Sequence, residues 1–594
     1  MGVTGQQKRI QQRQTGLRQQ PLVLLLLVLA CCGAMVARLV WLQLLEHDRY
    51  RQLADENRIR MVPRSPIRGR LLDRKGRVLA SSKLTYSLYL EPRLVTESTW
   101  PSLRTRLAEL LDLEPEELDA RRNRGVDRDG YRTTLALDLS AEQVLRFRER
   151  ATTLAGAQVD VDILRFYPHG TLAAHTLGYT QPITEEEYET LGKKGYQIRD
   201  RIGRIGVEAA YESHLRGQWG GQMLEVNAMG EVQRYLGDRP SGAGKDLTLT
   251  LDLDLQRVAE QALADKPGGA VVALDPSDGA ILALASKPTF DPNFFSKLIT
   301  TQKEYDALFK NPKKPFLSRA MNAYDPGSTW KPITAMAGME SGKYPPETKL
   351  HTTACITYGS HCFPDHNGAG FGHIGYQDAL SFSSNTFFYQ VGVGVGSREL
   401  KKAATQLGFM QKTGIEIGWE ENIGFVGDQQ WAEQVRGTPW IPEDMASASI
   451  GQAMVQITPL QLARAYAVFA NGGWMVTPHL AEAGLDWTSS KYKTKVAIKP
   501  STLQTIREGL RRVVESGTGA GLNGPGLPPG AGKTGTAEDS TGGPDHAWFG
   551  CYAPYPNGEI VVVAFAQNTP GGGSVHALPM AKKVLAEWNR TRGT

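Results

Sequence analysis

The chain has 594 residues, several times the usual domain of roughly 100 to 200, so at least two and more plausibly three folded units are expected. Its 67 Lys and Arg against 62 Asp and Glu leave a net charge of +5, and 22% charged with 41% hydrophobic residues is globular composition, which excludes wholesale disorder. No nucleic-acid binder is indicated: the acid-free basic start, with Lys8, Arg9, Arg13 and Arg18, is explained by the long apolar run directly behind it.

The first predicted element is a membrane anchor. From Leu22 to Ala37 every residue is apolar or small, and after Arg38 the run resumes through Leu39, Val40, Trp41, Leu42, Gln43, Leu44 and Leu45. That is about one bilayer crossing, which needs roughly 20 residues. No polar face recurs at helical spacing, as a buried core helix would require, and positive-inside bias puts residues 1–20 in the cytoplasm. A cleaved signal peptide, or a lipoprotein box at Val28-Leu29-Ala30-Cys31, is disfavoured because the apolar run continues past Cys31. With no second long apolar segment, the rest of the chain is expected outside the cytoplasmic membrane, in the periplasm or its equivalent.

Beyond the anchor, Leu44 to Arg60 predicts a helix running on out of the membrane, stopped by Pro63 and Pro66. Short strands come next: Arg70-Leu71-Leu72 and Val78-Leu79-Ala80 about a turn at Asp73-Arg74-Lys75-Gly76, then the alternating Leu84 to Leu90. Residues 101–156 predict charged helices, and 158–240 mix strands, Gly/Pro turns and a helix over Val207 to Leu215. This middle region has no cluster of catalytic residue types and reads as a spacer or docking module. Ser241-Gly242-Ala243-Gly244 predicts a linker or hairpin tip, ahead of a helix over Leu253 to Asp265. Two apolar strands, Ala270 to Leu274 and Ala280 to Ala285, then form a hairpin about Asp275-Pro276-Ser277-Asp278-Gly279.

A long helix-and-loop region runs to about residue 516. It holds Cys355 and Cys362 in a Gly/His-rich loop; Cys31 and Cys32 lie in the anchor and Cys551 in a strand pattern. The loop pair predicts a local disulfide or free thiols ahead of a metal site made with Asp365 and His373. Strand patterns at Gly532 to Ala537, Ala547 to Tyr552 and Ile560 to Ala566, and a helix over Met580 to Asn589, close the chain. Two early and three late strands predict an α+β fold with one sheet covered by helices on both faces.

Within this region, Tyr324-Asp325-Pro326-Gly327-Ser328-Thr329-Trp330-Lys331 places a serine at a helix mouth with a lysine at i+3, on the same face. A serine hydroxyl needs a base to become a nucleophile, and a lysine whose charge is disfavoured can serve. A second match, Ser490 to Lys493, has no helix start before it. Ser383-Ser384-Asn385 and then Lys533-Thr534-Gly535-Thr536 come after Lys331 in order; the other Lys-Thr-Gly, at Lys412-Thr413-Gly414, lies in a Gly-rich turn, whereas Lys533 opens a strand. Gly530-Ala531-Gly532-Lys533-Thr534 fails as a phosphate loop because Leu527 stands at its first glycine.

The three elements together resemble the signature of penicillin-binding proteins and serine β-lactamases. Ser328 is then the acylated nucleophile and Lys331 its base; Ser383 relays a proton toward the leaving amine, and Asn385 binds the peptide. Thr534 and Thr536 share a strand face and bind a carboxylate beside Lys533, with Gly535 between them. The amides of Ser328 and Thr536 form the oxyanion hole, each such donor being worth about 2.7 to 4 kcal/mol. Lys533 near Lys331 lowers the latter's pKa.

Further stretches extend the resemblance to class B penicillin-binding proteins: Arg68-Gly69-Arg70; Arg165-Phe166-Tyr167-Pro168; His175-Thr176-Leu177-Gly178-Tyr179; Gly206-Val207-Glu208; Leu215-Arg216-Gly217; Ser286-Lys287-Pro288-Thr289-Phe290-Asp291-Pro292-Asn293; and Gly451-Gln452 with Thr458-Pro459-Leu460-Gln461. Asn385-Thr386-Phe387-Phe388-Tyr389-Gln390 resembles the elongation type more than the division type. Asp325 and Trp330 depart from the family's usual Pro and Phe. The resemblance implies a tail (1–20), a transmembrane helix (21–45), a mixed α/β pedestal (46–245) with a head-like insertion at about 95–160, and a transpeptidase domain (246–594) on a five-stranded antiparallel sheet flanked by helices. It also implies peptidoglycan stem peptides ending in D-Ala-D-Ala as donors, β-lactams as covalent inhibitors, a membrane-embedded rod-type glycan polymerase and elongation-machinery proteins as partners, and neither cofactor nor metal.

The rival readings are a β-lactamase-like serine hydrolase, a D,D-carboxypeptidase, a β-lactam sensor and a division-type transpeptidase. No Glu-x-x-Leu-Asn element lies between Ser383 and Lys533, as a lactamase would need, and a cytoplasmic tail of about 20 residues is too short for a signalling module.

Overall fold

The computed structural model describes residues 4–51, 59–123, 132–198, 200–227, 232–298, 302–482, 486–539 and 542–592. It divides into two compact units, residues 1–66 with 218–242, and residues 67–217 with 243–594.

In the first unit a helix runs over Thr4–Val40 and a wider turn continues it over Trp41–Leu45. Its stretch Pro21–Leu45, 25 residues with none buried, is the one helix among the described residues long and apolar enough to cross a membrane. Of the helix expected from Leu44 to Arg60, a helical turn ending at Arg51 is present, residues 52–58 lie outside the described residues, and the last two positions belong instead to a strand, Ile59–Arg64. That strand pairs antiparallel with Gly220–Val226, which pairs with Val232–Arg239. Pairing across about 160 residues overrides a local pattern with helical character, and Pro63 is tolerated because its strand is at the sheet edge.

The second unit begins with the expected turn. Asp73 is buried and takes the amides of Lys75 and Arg77 on Oδ1 and that of Leu253 on Oδ2. The strands expected at 78–80 and 84–90 are one, Val78–Leu90, paired with Ala157–Phe166. Trp100–Leu111 and Ala141–Arg150 are helices, as expected, and a strand that the sequence does not announce, Thr133–Ala136, lies between them. Residues 88–157 keep a core of their own around Trp100, Leu107 and Phe147. The predicted helix over Val207 to Leu215 breaks at Tyr211 into Gly206–Ala210 and Glu212–Leu215. Gly244, expected in a linker, is a close crossing instead: a Cβ there would lie 1.9 Å from the Leu215 carbonyl oxygen and 2.7 Å from the Gly69 nitrogen.

The sheet carrying the site has strands β1 (Gly268–Leu274), β2 (Ile281–Lys287), β3 (Ala531–Ala537), β4 (His546–Ala553) and β5 (Ile560–Gln567). They are antiparallel in the order β2-β1-β5-β4-β3. Alternate residues feed two cores, Val271 and Ala273 on one face and Ala270, Val272 and Leu274 on the other, so both faces are buried. Helices α1 (Leu253–Ala262) and α6 (Ala577–Thr591) cover the first face; α2 (Lys331–Glu340), α3 (Asn385–Val395), α4 (Pro459–Ala470) and α5 (Pro500–Glu515) lie on the other. Leu71, Leu79, Tyr167, Leu177 and Val207 share the core of this second face.

Candidate active site

Ser328 sits in a tight turn, Gly327–Trp330, that runs into α2, with Lys331 as the first residue of the helix. Two glycines press that turn against β3. Gly327 has φ +54° and a Cβ on it would lie 2.3 Å from the Thr536 carbonyl oxygen; a Cβ on Gly535 would lie 2.8 Å from that of Pro326. The turn is tied down further by Gly327 N–H donating to Gly451 O (2.9 Å) and the Tyr466 hydroxyl donating to Thr329 O (3.0 Å). Asp325, a departure from the family residue, is buried and accepts from the amide of Ala453 at 3.1 Å, where the backbone takes a positive φ of +55°. Trp330, the other, packs edge-on to Phe409.

Lys331 is fully buried, and its Nζ lies 2.6 Å from Ser383 O, 2.7 Å from Asn385 Oδ1 and 3.2 Å from Ser383 Oγ. Burial first, and then the charge of Lys533, push its pKa well below the ordinary lysine value, against an opposing pull from Asp365. The Lys331 N–H groups donate to two carbonyl-type oxygens, Ser383 O and Asn385 Oδ1, and lie within reach of the Ser383 hydroxyl oxygen. The Ser328 hydroxyl, half-buried, makes no side-chain hydrogen bond among the described residues.

Ser383 is buried at a positive φ of +59°, which a non-glycine residue adopts at a cost. On β3, Lys533 is fully buried and its pKa is lowered to about 7 by that burial. Thr534 Oγ1 lies 2.7 Å from Thr518 Oγ1, and Thr536 is exposed at the site. β3 is the sheet's edge strand, so no further strand pairs with its outer backbone row. The structure thus brings Ser328, Lys331, Ser383, Asn385 and Lys533-Thr534-Gly535-Thr536 together. The second Lys-Thr-Gly is elsewhere, with the Thr413 amide bound to Glu421.

Two residues of the site belong to no motif. Thr518 donates its amide to Ser381 O at 3.2 Å and so links the serine-asparagine element to Thr534; nothing in its Gly-rich loop marks it. Asp365 stands out in the sequence only as a possible metal ligand. Cys355 and Cys362 pair as a disulfide, and Asp365 turns toward Ser384 and Thr386 instead. Among the described residues no three His, Cys, Asp or Glu side chains converge as a metal set.

Comparisons with known proteins agree on the kind of chain this is. The penicillin binding protein transpeptidase domain matches residues 269–586, and the penicillin-binding protein dimerisation domain matches 63–249. The peptidoglycan D,D-transpeptidase MrdA of Acinetobacter baumannii is 33% identical over 95% of this chain and 87% of its own length. MrdA of Haemophilus influenzae is 32% identical over 96% of this chain and 91% of its own. Among solved structures, a chain from a peptidoglycan synthase complex that coordinates polymerization and crosslinking has a TM-score of 0.72 at 32% identity, covering 97% of this chain and 99% of that one. PBP2 of Helicobacter pylori, solved in complex with MreC, has a TM-score of 0.81 at 23% identity over 90% of this chain and 99% of that one, a likeness of fold.

Proposed function

The chain belongs to the class B penicillin-binding proteins, as an elongation-type peptidoglycan D,D-transpeptidase, and on that footing we propose that it cross-links stem peptides through an acyl-enzyme on Ser328. The observation that carries this is the buried pair Lys331 and Lys533, both with lowered pKa, set between the serine turn and the edge strand. Ser328 Oγ attacks the carbonyl carbon of the penultimate D-Ala and its proton passes to Lys331 Nζ. The oxyanion is held by the amides of Ser328 and Thr536. The C–N bond then breaks, and the departing D-Ala amine takes a proton from Lys331 by way of the Ser383 hydroxyl. An amine of a second stem peptide attacks the ester, gives up its proton by the same route, and Ser328 is restored. Asn385 and the Thr534–Thr536 edge hold the donor peptide, with its carboxylate on the threonine hydroxyls beside Lys533. β-Lactams enter the same seat and leave the serine acylated.

The relatives' company supports a working assembly with a membrane-embedded glycan polymerase and other elongation proteins, with Pro21–Leu45 as the membrane anchor, residues 1–20 cytoplasmic and the catalytic domain in the periplasm. Residues 46–245 serve as the pedestal and 246–594 as the catalytic domain. A fluorescent penicillin tests the nucleophile: stable covalent labelling is expected in the parent and none in Ser328→Ala at equal thermal stability. Labelling that persists in Ser328→Ala, or that is rapidly released from the parent, is the result that overturns the reading.

A further inference from the structure

We propose that Asp365 is a positioning residue of this site, its buried carboxylate clamping the Ser383–Asn385 element in front of Lys331. Asp365 comes directly after a hairpin made of Cys355–Tyr358 and His361–Pro364, fastened by the Cys355–Cys362 disulfide, and its own amide donates to Ala354 O at 2.9 Å. The residue is 2% exposed. Its Oδ2 accepts from Ser384 Oγ at 2.6 Å, from Thr386 Oγ1 at 2.7 Å and from the Thr386 amide at 3.3 Å. Its Oδ1 accepts from the amides of Asn385 at 3.0 Å and His366 at 2.8 Å, and lies 3.2 Å from His366 Nδ1.

Three consecutive residues, 384 to 386, are therefore held by one carboxylate at the start of α3, where the helix leaves amide donors unpaired and its dipole favours negative charge. Two consequences reach the chemistry. Ser383 is strained at φ +59° and cannot relax, because the residues after it are fixed. Asn385 Oδ1 is kept within 2.7 Å of Lys331 Nζ, and a second bond, from Asn385 Nδ2 to Pro364 O at 3.4 Å, ties the same amide to the hairpin. Asp365 also supplies the negative charge that faces Lys331, against the positive Lys533; the ionisable neighbour in contact with Asp365 itself is His366. The clamp rests on Ser383 and Asn385 serving acylation of Ser328.

The test is the acylation rate of the full-length, detergent-solubilised protein by fluorescent penicillin across pH, with thermal denaturation alongside. Asp365→Asn keeps the size and removes the charge. A loss of roughly 100-fold near neutral pH is expected, the scale of a small misplacement of a catalytic group. The acid limb should also move to lower pH, since the charge that favours protonated Lys331 is gone; a merely structural role would not move it. Thr386→Val removes the hydroxyl bond to Asp365 Oδ2 but keeps the amide bond and the charge, and should lower the rate with the limb in place. An unchanged rate or an unmoved limb in Asp365→Asn overturns the proposal, and if that variant does not fold, an unchanged rate in folded Thr386→Val does so. Ser328→Ala run in parallel separates the two failures: label retained there faults the nucleophile, whereas label lost there with Asp365→Asn unaffected faults the clamp alone.

Discussion

Lys533 and Lys331 are folded into the interior with no carboxylate in ion-pair contact among the described residues, and a buried lysine is an expense in stability that only chemistry justifies. For Lys533 the pKa falls from its ordinary 10.5 to about 7 on folding. The unfolded chain thus holds the extra proton between those values, so the group's contribution to stability rises with pH through that window. Below pH 7 its destabilisation is complete, about 5 kcal/mol, and by pH 10.5 it has gone. Lys533→Met should therefore raise the melting temperature near pH 6 to 7, the gain fading toward pH 10.5, while acylation is lost; a gain of the same size at every pH would show that the buried charge is not its source. Ser328, Lys331 and the Lys533–Thr536 run are legible in the sequence because a short spacing on one helix turn or one strand carries their meaning. Asp365 and Thr518 are not, since each acts on a partner 19 or 16 positions away, and no local pattern encodes that proximity.

At the scale of elements, the hairpin before Asp365 is mostly solvent-exposed, and its disulfide spans only 7 positions of sequence. Chain-entropy arguments give such a closure about 2 to 3 kcal/mol, all of it local to the hairpin. Replacing both Cys355 and Cys362 by Ser should speed amide exchange over residues 355–364 on the order of 50-fold, with little change in the global melting temperature and a several-fold slower acylation. Exchange unchanged within twofold would mean that strand pairing alone holds the hairpin. The strands of the main sheet are legible because both-face burial leaves unbroken apolar runs such as Val561–Ala566. Ile59–Arg64 is not, because its partner lies at Gly220–Val226 and the charge around it looks helical.

Over the whole molecule, stretches that in the sequence only resemble family motifs turn out to meet. Glu208, fully buried, takes Arg68 Nε and Arg165 Nε at 2.6 Å each and the Tyr167 hydroxyl at 3.1 Å, while Arg165 also donates to Gly69 O. Glu208→Ala would leave the buried Arg165 guanidinium without its counter-charge, while Arg68 keeps Glu212 at 2.7 Å; breaking such a buried pair costs about 3 to 5 kcal/mol. A drop of several degrees in melting temperature is expected; an unchanged melting temperature would mean Arg165 is resolvated at no cost. The sheet order β2-β1-β5-β4-β3 has a consequence in time as well as in space. β1 finds its second neighbour only when β5 arrives, some 290 residues later, and the catalytic turn finds β3 only after residue 531. A growing chain emerging N-terminus first therefore carries Ser328 through about 200 further residues of synthesis with no strand to work against, and can gain the acylating activity proposed for it only once β3 has emerged.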